Sequence, residues 1–215
     1  MTRTLTLSIV CVATGLVIGS LAIAEPRSED KGSPAAAEAP LPPGWTMEDM
    51  QKVIKAATPG RMHEFLLEGV GEWKGRQLMW MTPDSEPIRS ECRMRISSFM
   101  DGRYIRADME GNTPGMGPFR GFAIYGYDNA AEQFVSTWVD NHSTGIMHGV
   151  GERSADGKTL TFTHTYHCPV LDQPTKLREV TTWKDKDTRI MEMFGADPRT
   201  GKEFRMMRIE FTRNP

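Results

Sequence analysis

The sequence predicts an all-β fold, an antiparallel meander barrel of about ten strands behind a short helical lead-in. From residue 71 onward, apolar and polar residues alternate in short runs, and turn residues such as Asp101-Gly102 and Asp156-Gly157 separate the runs. Neighbouring strands joined by tight turns pair antiparallel, and no helical run interrupts them. Because closure removes the two unpaired edges of a sheet, a barrel is the expected form.

Length and charge bound the functions open to this chain. It has 215 residues, a formal net charge of −2 and 39% hydrophobic residues, as expected for one globular domain rather than two. Binding to nucleic acid requires clustered Lys and Arg, and the sequence has no basic block. We therefore expect no nucleic-acid partner.

Residues 1–24 are predicted to be a signal peptide. Arg3 supplies the positive start, Leu5 to Ile23 is mostly apolar, and Ala22-Ile23-Ala24 has the small-x-small pattern of a cleavage site. The alternative is an uncleaved membrane anchor. With cleavage, the mature protein begins near Glu25, is exported to the periplasm or the medium, and has no membrane span.

Residues 25–44 and 45–70 are predicted to be a linker and a helical lead-in. The first segment is rich in Pro, Ala, Glu and Ser, a composition typical of a disordered tether. In the second, apolar residues recur at helical spacing behind Thr46, a suitable N-cap. Thr58-Pro59 is predicted to restart a helix with Pro at its first position, and His63 is expected on the surface of that helix.

Residues 71–215 are predicted to form the barrel. The expected strands are Glu72 to Met81, Ile88 to Met100, Tyr104 to Gly111, Phe119 to Tyr127, Phe134 to Asn141, Gly145 to Arg153, Thr159 to Cys168, Lys176 to Lys184, Arg189 to Ala196 and Glu203 to Arg213. In the first of these, Leu78 and Trp80 are out of phase with Trp73 unless a β-bulge intervenes.

Several motifs along this region resemble those of a known family. G-E-W-K-G at Gly71 to Gly75 resembles the G-x-W sequence of the calycin superfamily, which includes the lipocalins. The whole run from about His63 to Arg213 resembles a bacterial family known as domain of unknown function 1579. The motifs that carry this resemblance are M-W-M at 79–81, D-G-R-Y at 101–104, G-Y-D-N at 126–129, T-W-V-D at 137–140, R-E-V-T-T at 178–182 and the closing G-K-E-F-R-M-M-R-I-E-F-T-R. The resemblance implies a lipocalin-like barrel and no particular reaction.

The resemblance also implies a structural role for the first tryptophan. In calycins this residue plugs one end of the barrel, and an arginine of the last strand stacks over it. The matching residues are Trp73 and Arg213, and Arg213 shares a strand face with Ile209 and Phe211.

Two histidines are predicted to face each other inside the barrel. On the strand from Thr159, the face carrying Phe162, His164, Tyr166 and Cys168 is the more apolar and should point inward. A three-residue turn at 155–157 then places His148 opposite His164.

The two histidines can be read in two ways. They bind a transition metal, haem or a polar ligand head, with Tyr166 assisting, or they are hydrogen-bonded interior residues. Two histidines alone make a poor zinc site, and His142 supplies a third ligand only if its loop folds over the mouth. His167 is expected to point outward.

An Arg–Glu pair is a second predicted interior feature. If Ile190 and Phe194 face inward, so does Glu192, and the turn at 185–187 places it diagonal to Arg178. Such a pair is either a structural bridge or a contact for a ligand.

Methionines and cysteines complete the candidate interior. The chain has 15 Met, which either fill the core or line an adaptable pocket; Met147 and Met116 are candidate ligand contacts. Met116 lies in the glycine-rich run 111–121, predicted to be a flexible connection at the barrel mouth. Cys92 and Cys168 are expected inside, either bridged or as two free thiols.

The function predicted from these features is binding of a small, largely apolar molecule inside an exported barrel. The alternatives are a haem or metal protein or enzyme using His148 and His164, and a solidly packed envelope protein. The sequence has no G-x-S-x-G, H-E-x-x-H or phosphate-binding glycine loop, so it favours a protein that is not an enzyme and identifies no cofactor.

Overall fold

Ten antiparallel strands close a barrel in the order of the chain, with β1 paired to both β2 and β10. This architecture is seen in a computed structural model that describes residues 41–214. The predicted signal peptide and most of the predicted linker lie outside the described residues. The predicted all-β meander barrel is confirmed.

The strand bounds agree closely with the alternation in the sequence. The strands are β1 (Gly71–Met79), β2 (Ile88–Phe99), β3 (Tyr104–Thr113), β4 (Gly117–Asp128), β5 (Gln133–Asp140), β6 (Met147–Arg153), β7 (Thr159–Cys168), β8 (Gln173–Trp183), β9 (Thr188–Ala196) and β10 (Glu203–Arg213). The run 111–121, predicted to be a flexible connection, is instead mostly the paired ends of β3 and β4 around a tight turn.

Between residue 41 and the barrel there are two short helices, α1 (Met47–Ala57) and α2 (Arg61–Leu67). Thr46 caps α1 as predicted, through a capping box with Asp49. The second helix begins two residues later than predicted, because Gly60 rather than Thr58 is its N-cap. None of the helices in residues 41–214 is long and apolar enough to span a membrane.

Helix α2 covers one end of the barrel. Phe65 is buried with its ring centre 4.9 Å from that of Trp183 and 6.0 Å from that of Phe134. His63, predicted to lie on the surface, is buried: its Nδ1 accepts a hydrogen bond from the Gly60 amide at 3.1 Å, and its ring packs edge-on against Tyr127. The prediction failed because helical spacing alone does not show which face meets the barrel.

Strand β1 alternates without a bulge. Trp73 and Gly75 point inward and are buried, whereas Leu78 lies on the outer face. The strand ends at Met79, and Trp80 lies beneath the guanidinium of Arg205. A Cβ atom at Gly75 would lie only 2.5 Å from the Cys92 sulfur. Any larger residue at this last position of G-E-W-K-G would therefore clash with an interior side chain.

Candidate ligand-binding cavity

The tryptophan of β1 is fixed at the end of the barrel that α2 covers. Trp73 is 2% exposed, and its Nε1 donates to the Gly69 carbonyl at 3.0 Å. The guanidinium carbon of Arg213 lies 4.3 Å from the Trp73 ring centre, and the two residues are register partners across β1 and β10. The predicted stacking is therefore present.

A second arginine, Arg189, also packs on Trp73. Its guanidinium carbon lies 4.2 Å from the Trp73 ring centre and 5.6 Å from that of Phe211. Burial lowers the pKa of Arg189 to about 10, because the charged form has lost its water. The sequence analysis did not predict a role for Arg189, although it shares the inner face of β9 with Met191 and Met193.

A cavity of about 340 Å³ occupies the other end of the barrel, within the range of roughly 300–1,000 Å³ typical of ligand pockets. Its walls are mainly thioethers and aromatic rings, including those of Phe119 and Trp138. The methionines that line it are Met79, Met94, Met109, Met116, Met147, Met191, Met193 and Met207. The predicted contacts Met116 and Met147 are thus both on the cavity wall, and Met116 is 61% exposed at the rim.

Three polar side chains meet at the inner end of this cavity. Glu179 Oε2 lies 3.1 Å from His164 Nε2, and the Tyr125 hydroxyl donates to Glu179 Oε1 at 3.5 Å. All three residues line the cavity. Burial, and secondarily the charge of Glu179, raises the pKa of Tyr125 well above its ordinary value, so this phenol stays protonated.

Two buried polar atoms beside this cluster have no hydrogen-bond partner among the described residues, Ser136 Oγ and His164 Nδ1. Gly149 lies between them, paired to Ser136 on β5 and to His164 on β7. A Cβ atom on Gly149 would lie 2.5 Å from each of the two atoms. Any residue larger than glycine at position 149 would therefore clash with these two polar atoms.

The rim of the cavity is built around Asp140. Trp138 Nε1 donates to its Oδ2 at 2.7 Å, and the His142 backbone amide donates to its Oδ1 at 2.9 Å. The His142 ring packs edge-on against Phe119, 5.4 Å between ring centres. The loop of His142 therefore does reach the mouth, and this histidine lines the cavity.

His148 does not face His164, contrary to the prediction. It is exposed on the outer face of β6 and pairs with Thr165, while Gly149 pairs with His164. The β6–β7 connection is one residue longer than predicted, with Arg153 paired to Leu160. A shift of one residue turns every side chain of a strand to the other face.

Arg178 and Glu192 lie on the outside of the barrel, also contrary to the prediction. Arg178 donates to Glu203 at 2.6 and 3.1 Å, and Glu192 accepts from Arg205 at 2.8 Å. Strand β9 carries apolar residues on both faces, and the inner face is that of Met191 and Met193 rather than that of Phe194.

The remaining predicted residues divide between the wall and its surroundings. Tyr166 is half-buried in phase with His164 but does not line the cavity, and His167 is exposed beside Asp172, as expected. Cys92 and Cys168 are buried free thiols, and Cys92 lines the cavity. Among residues 41–214, no three His, Cys, Asp or Glu side chains are grouped so that they could hold a metal ion.

The fold and the cavity define a lipocalin-like β-barrel. The chain belongs to the family described as "Protein of unknown function (DUF1579)", whose model matches residues 58–213. No curated protein matches the chain.

Solved structures with low sequence identity are similar to the barrel. An S-type phycobiliprotein lyase from Guillardia theta matches at 12% identity with a TM-score of 0.50, covering 76% of this chain and 97% of that one. A protein of unknown function from the DUF3598 family of Nostoc punctiforme matches at 7% identity over 73% and 100% of the two chains, with a TM-score of 0.22. The second match supports no argument because its TM-score is low, and the first supports an argument about fold alone because its identity is low.

Proposed function

We propose that this protein binds a small, largely apolar molecule in the barrel interior. The observation that carries the proposal is the cavity of about 340 Å³. A barrel of this size that served only as a packed scaffold would fill its interior with side chains. Here the fully buried large side chains include Trp73, Phe162 and Phe211, and the large cavity stays open.

The composition of the wall supports an apolar ligand of adaptable shape. Methionine side chains are unbranched and polarizable, so they adjust to irregular apolar surfaces and contact aromatic groups favourably. Phe119 and Trp138 stack at the rim with ring centres 6.1 Å apart, which adds flat apolar surface near Met116. The cluster of Glu179, His164 and Tyr125 supplies the few polar groups that orient a ligand.

Native mass spectrometry of the protein purified from its own host tests this proposal. We expect a bound mass that is released on denaturation, with an occupancy that falls in a variant whose cavity is filled, Ala123→Phe. The matched control is Val150→Phe on the outer face, which should retain the ligand. Ligand-free protein, combined with no binding of any added apolar compound, would refute the proposal.

We also propose that the protein is exported, on the basis of the residue pattern at 1–24. N-terminal sequencing of protein recovered from cell fractions tests this. The expected result is a mature chain beginning at Glu25 in the periplasm or the medium. A full-length chain that remains in the cytoplasm would contradict it.

A further inference from the structure

We infer that the cavity selects neutral or cationic amphiphiles whose head group donates hydrogen bonds, that it rejects carboxylates, and that Glu179 anchors the head group. This inference rests on the proposed function, because it concerns the ligand of the same cavity. It follows from the charges of the wall, the hydrogen bonds of Glu179 and the position of Arg189.

The cavity wall carries three carboxylates and two histidines, His142 and His164. Glu91, Asp140 and Glu179 line the cavity, and none of its wall residues in the described range 41–214 is a Lys or Arg. Two of these carboxylates lie at different depths, Asp140 at the rim and Glu179 at the inner end. An anion that enters therefore meets carboxylates along its path, with no Lys or Arg on the described wall to offset their repulsion.

Glu179 has the capacity to accept a further hydrogen bond. It is 7% exposed, and within residues 41–214 only His164 and Tyr125 form hydrogen bonds with its two oxygens. A carboxylate has about four acceptor positions, so two remain for a ligand. Few polar groups surround it, and a donor that reaches it is held more strongly there than in water.

Arg189 lies within electrostatic range of Glu179, but it does not line the large cavity. The two side chains form no ion pair within 4.0 Å in the part of the chain that the structure describes. The Arg189 guanidinium instead lies over Trp73 at 4.2 Å and lines a separate void of about 50 Å³ beneath α2. Glu179 borders both spaces, so a ligand in the large cavity meets the carboxylate first.

The position of Glu179 also orients the ligand. The residue is paired to Phe162 on β7 and to Met193 on β9, deep in the barrel, whereas Met116 and Met147 lie toward the mouth. A head group on Glu179 therefore places an apolar tail along the methionines, with its end toward the rim.

Three ligands with the same tail and different head groups test the inference: decylamine, decanol and decanoate, measured by titration calorimetry at pH 7 below their aggregation concentrations. We expect the amine and the alcohol to bind and decanoate to bind at least about tenfold more weakly than the amine, since like-charge contacts oppose it. In Glu179→Gln the difference between amine and carboxylate should fall to within about threefold, because Gln keeps the shape and removes the charge. Glu203→Gln, on the outer face, is the matched control and should leave the wild-type order unchanged.

The outcomes separate this inference from the proposed function. If none of the three compounds binds, the proposed function fails and the inference with it. If decanoate binds the wild-type protein as tightly as decylamine, the inference fails while binding in the cavity stands. The wild-type series requires no substitution, so it decides the question even if Glu179→Gln does not fold. If Glu179→Gln folds and keeps the wild-type discrimination, Glu179 is not the anchor.

Discussion

Arg213, in the last strand, stacks on Trp73 of the first strand and also contacts the segment between α2 and β1. Its guanidinium carbon lies 4.3 Å from the Trp73 ring centre, and its nitrogens donate to the carbonyls of Val70 and Glu68 at 2.7 and 2.9 Å. It also donates to Asp187 Oδ1 at 3.1 Å. One side chain therefore links the α2–β1 connection, β10 and the β8–β9 turn.

We predict that Arg213→Lys destabilises the fold by about 1–3 kcal/mol, because lysine keeps the charge but cannot make the forked set of hydrogen bonds. The free energy of unfolding in urea measures this. Arg93→Lys, an exposed position on β2, is the control and should change stability little. Equal stabilities of the two variants would show that the stacked arginine does not hold the barrel end together.

The space at Gly149 gives a second prediction. Gly149→Ala should destabilise the protein by about 1–3 kcal/mol, because the new methyl group meets His164 and Ser136 at overlapping distance. Gly145→Ala is the control, since nothing lies within 4 Å of its Cβ position. Thermal unfolding compares the two variants. A Gly149→Ala protein as stable as the control would show that His164 and Ser136 do not need the space that Gly149 leaves.

Cys92 gives a prediction about pH. Burial, with a smaller effect of Glu91, raises the pKa of this thiol from 9.0 to about 12. At pH 9 the folded protein should therefore hold only about one thiolate per thousand at this position, instead of the half expected of an ordinary thiol. Because the raised pKa belongs to the folded state, its contribution to stability is complete below pH 9 and is lost as the pH rises toward 12.

Peptide mapping after iodoacetamide treatment checks this prediction residue by residue. In folded protein, alkylation of Cys92 should stay slow from pH 8 to 10 and accelerate only toward pH 12. In urea-unfolded protein it should follow the ordinary thiol profile. Fast alkylation of folded protein at pH 8, with Cys168 unreacted, would show that Cys92 is not held as a protonated thiol.

Alternation and turn residues were enough to predict the strand order and the barrel, because both depend on local patterns that repeat along the chain. The stacking of Arg213 on Trp73 was available only through the resemblance to calycins. The faces of β9 were mispredicted because Ile190 and Phe194 are as apolar as Met191 and Met193. Phe194 is accommodated outside by the guanidinium of Arg178, at 4.0 Å from its ring centre.

The site was harder to predict than the fold, because its residues come from several strands and depend on register. His164 was placed correctly from the apolar face of β7. Its expected partner His148 lies on the outer face instead, because the β6–β7 turn has one more residue than predicted. Its actual partner, Glu179, is next in sequence to the predicted Arg178 and on the opposite face. A long-range pairing of this kind has no signal in a single sequence.

The central claim, that the cavity is a binding site, is tested most directly by titrating the neutral fluorescent probe N-phenyl-1-naphthylamine into wild-type protein, Ala123→Phe and Val150→Phe. Ala123 is 2% exposed and lines the cavity, whereas Val150 is 50% exposed on the outer face of β6. Met193→Trp fills the same cavity from another strand. It replaces Ala123→Phe in the test if that variant does not fold. We predict saturable binding to wild-type protein and to Val150→Phe, and binding at least about tenfold weaker to the folded cavity-filled variants, since the added ring occupies the ligand's volume. No saturable binding to the wild-type protein, or equal binding to folded Ala123→Phe, would contradict the claim.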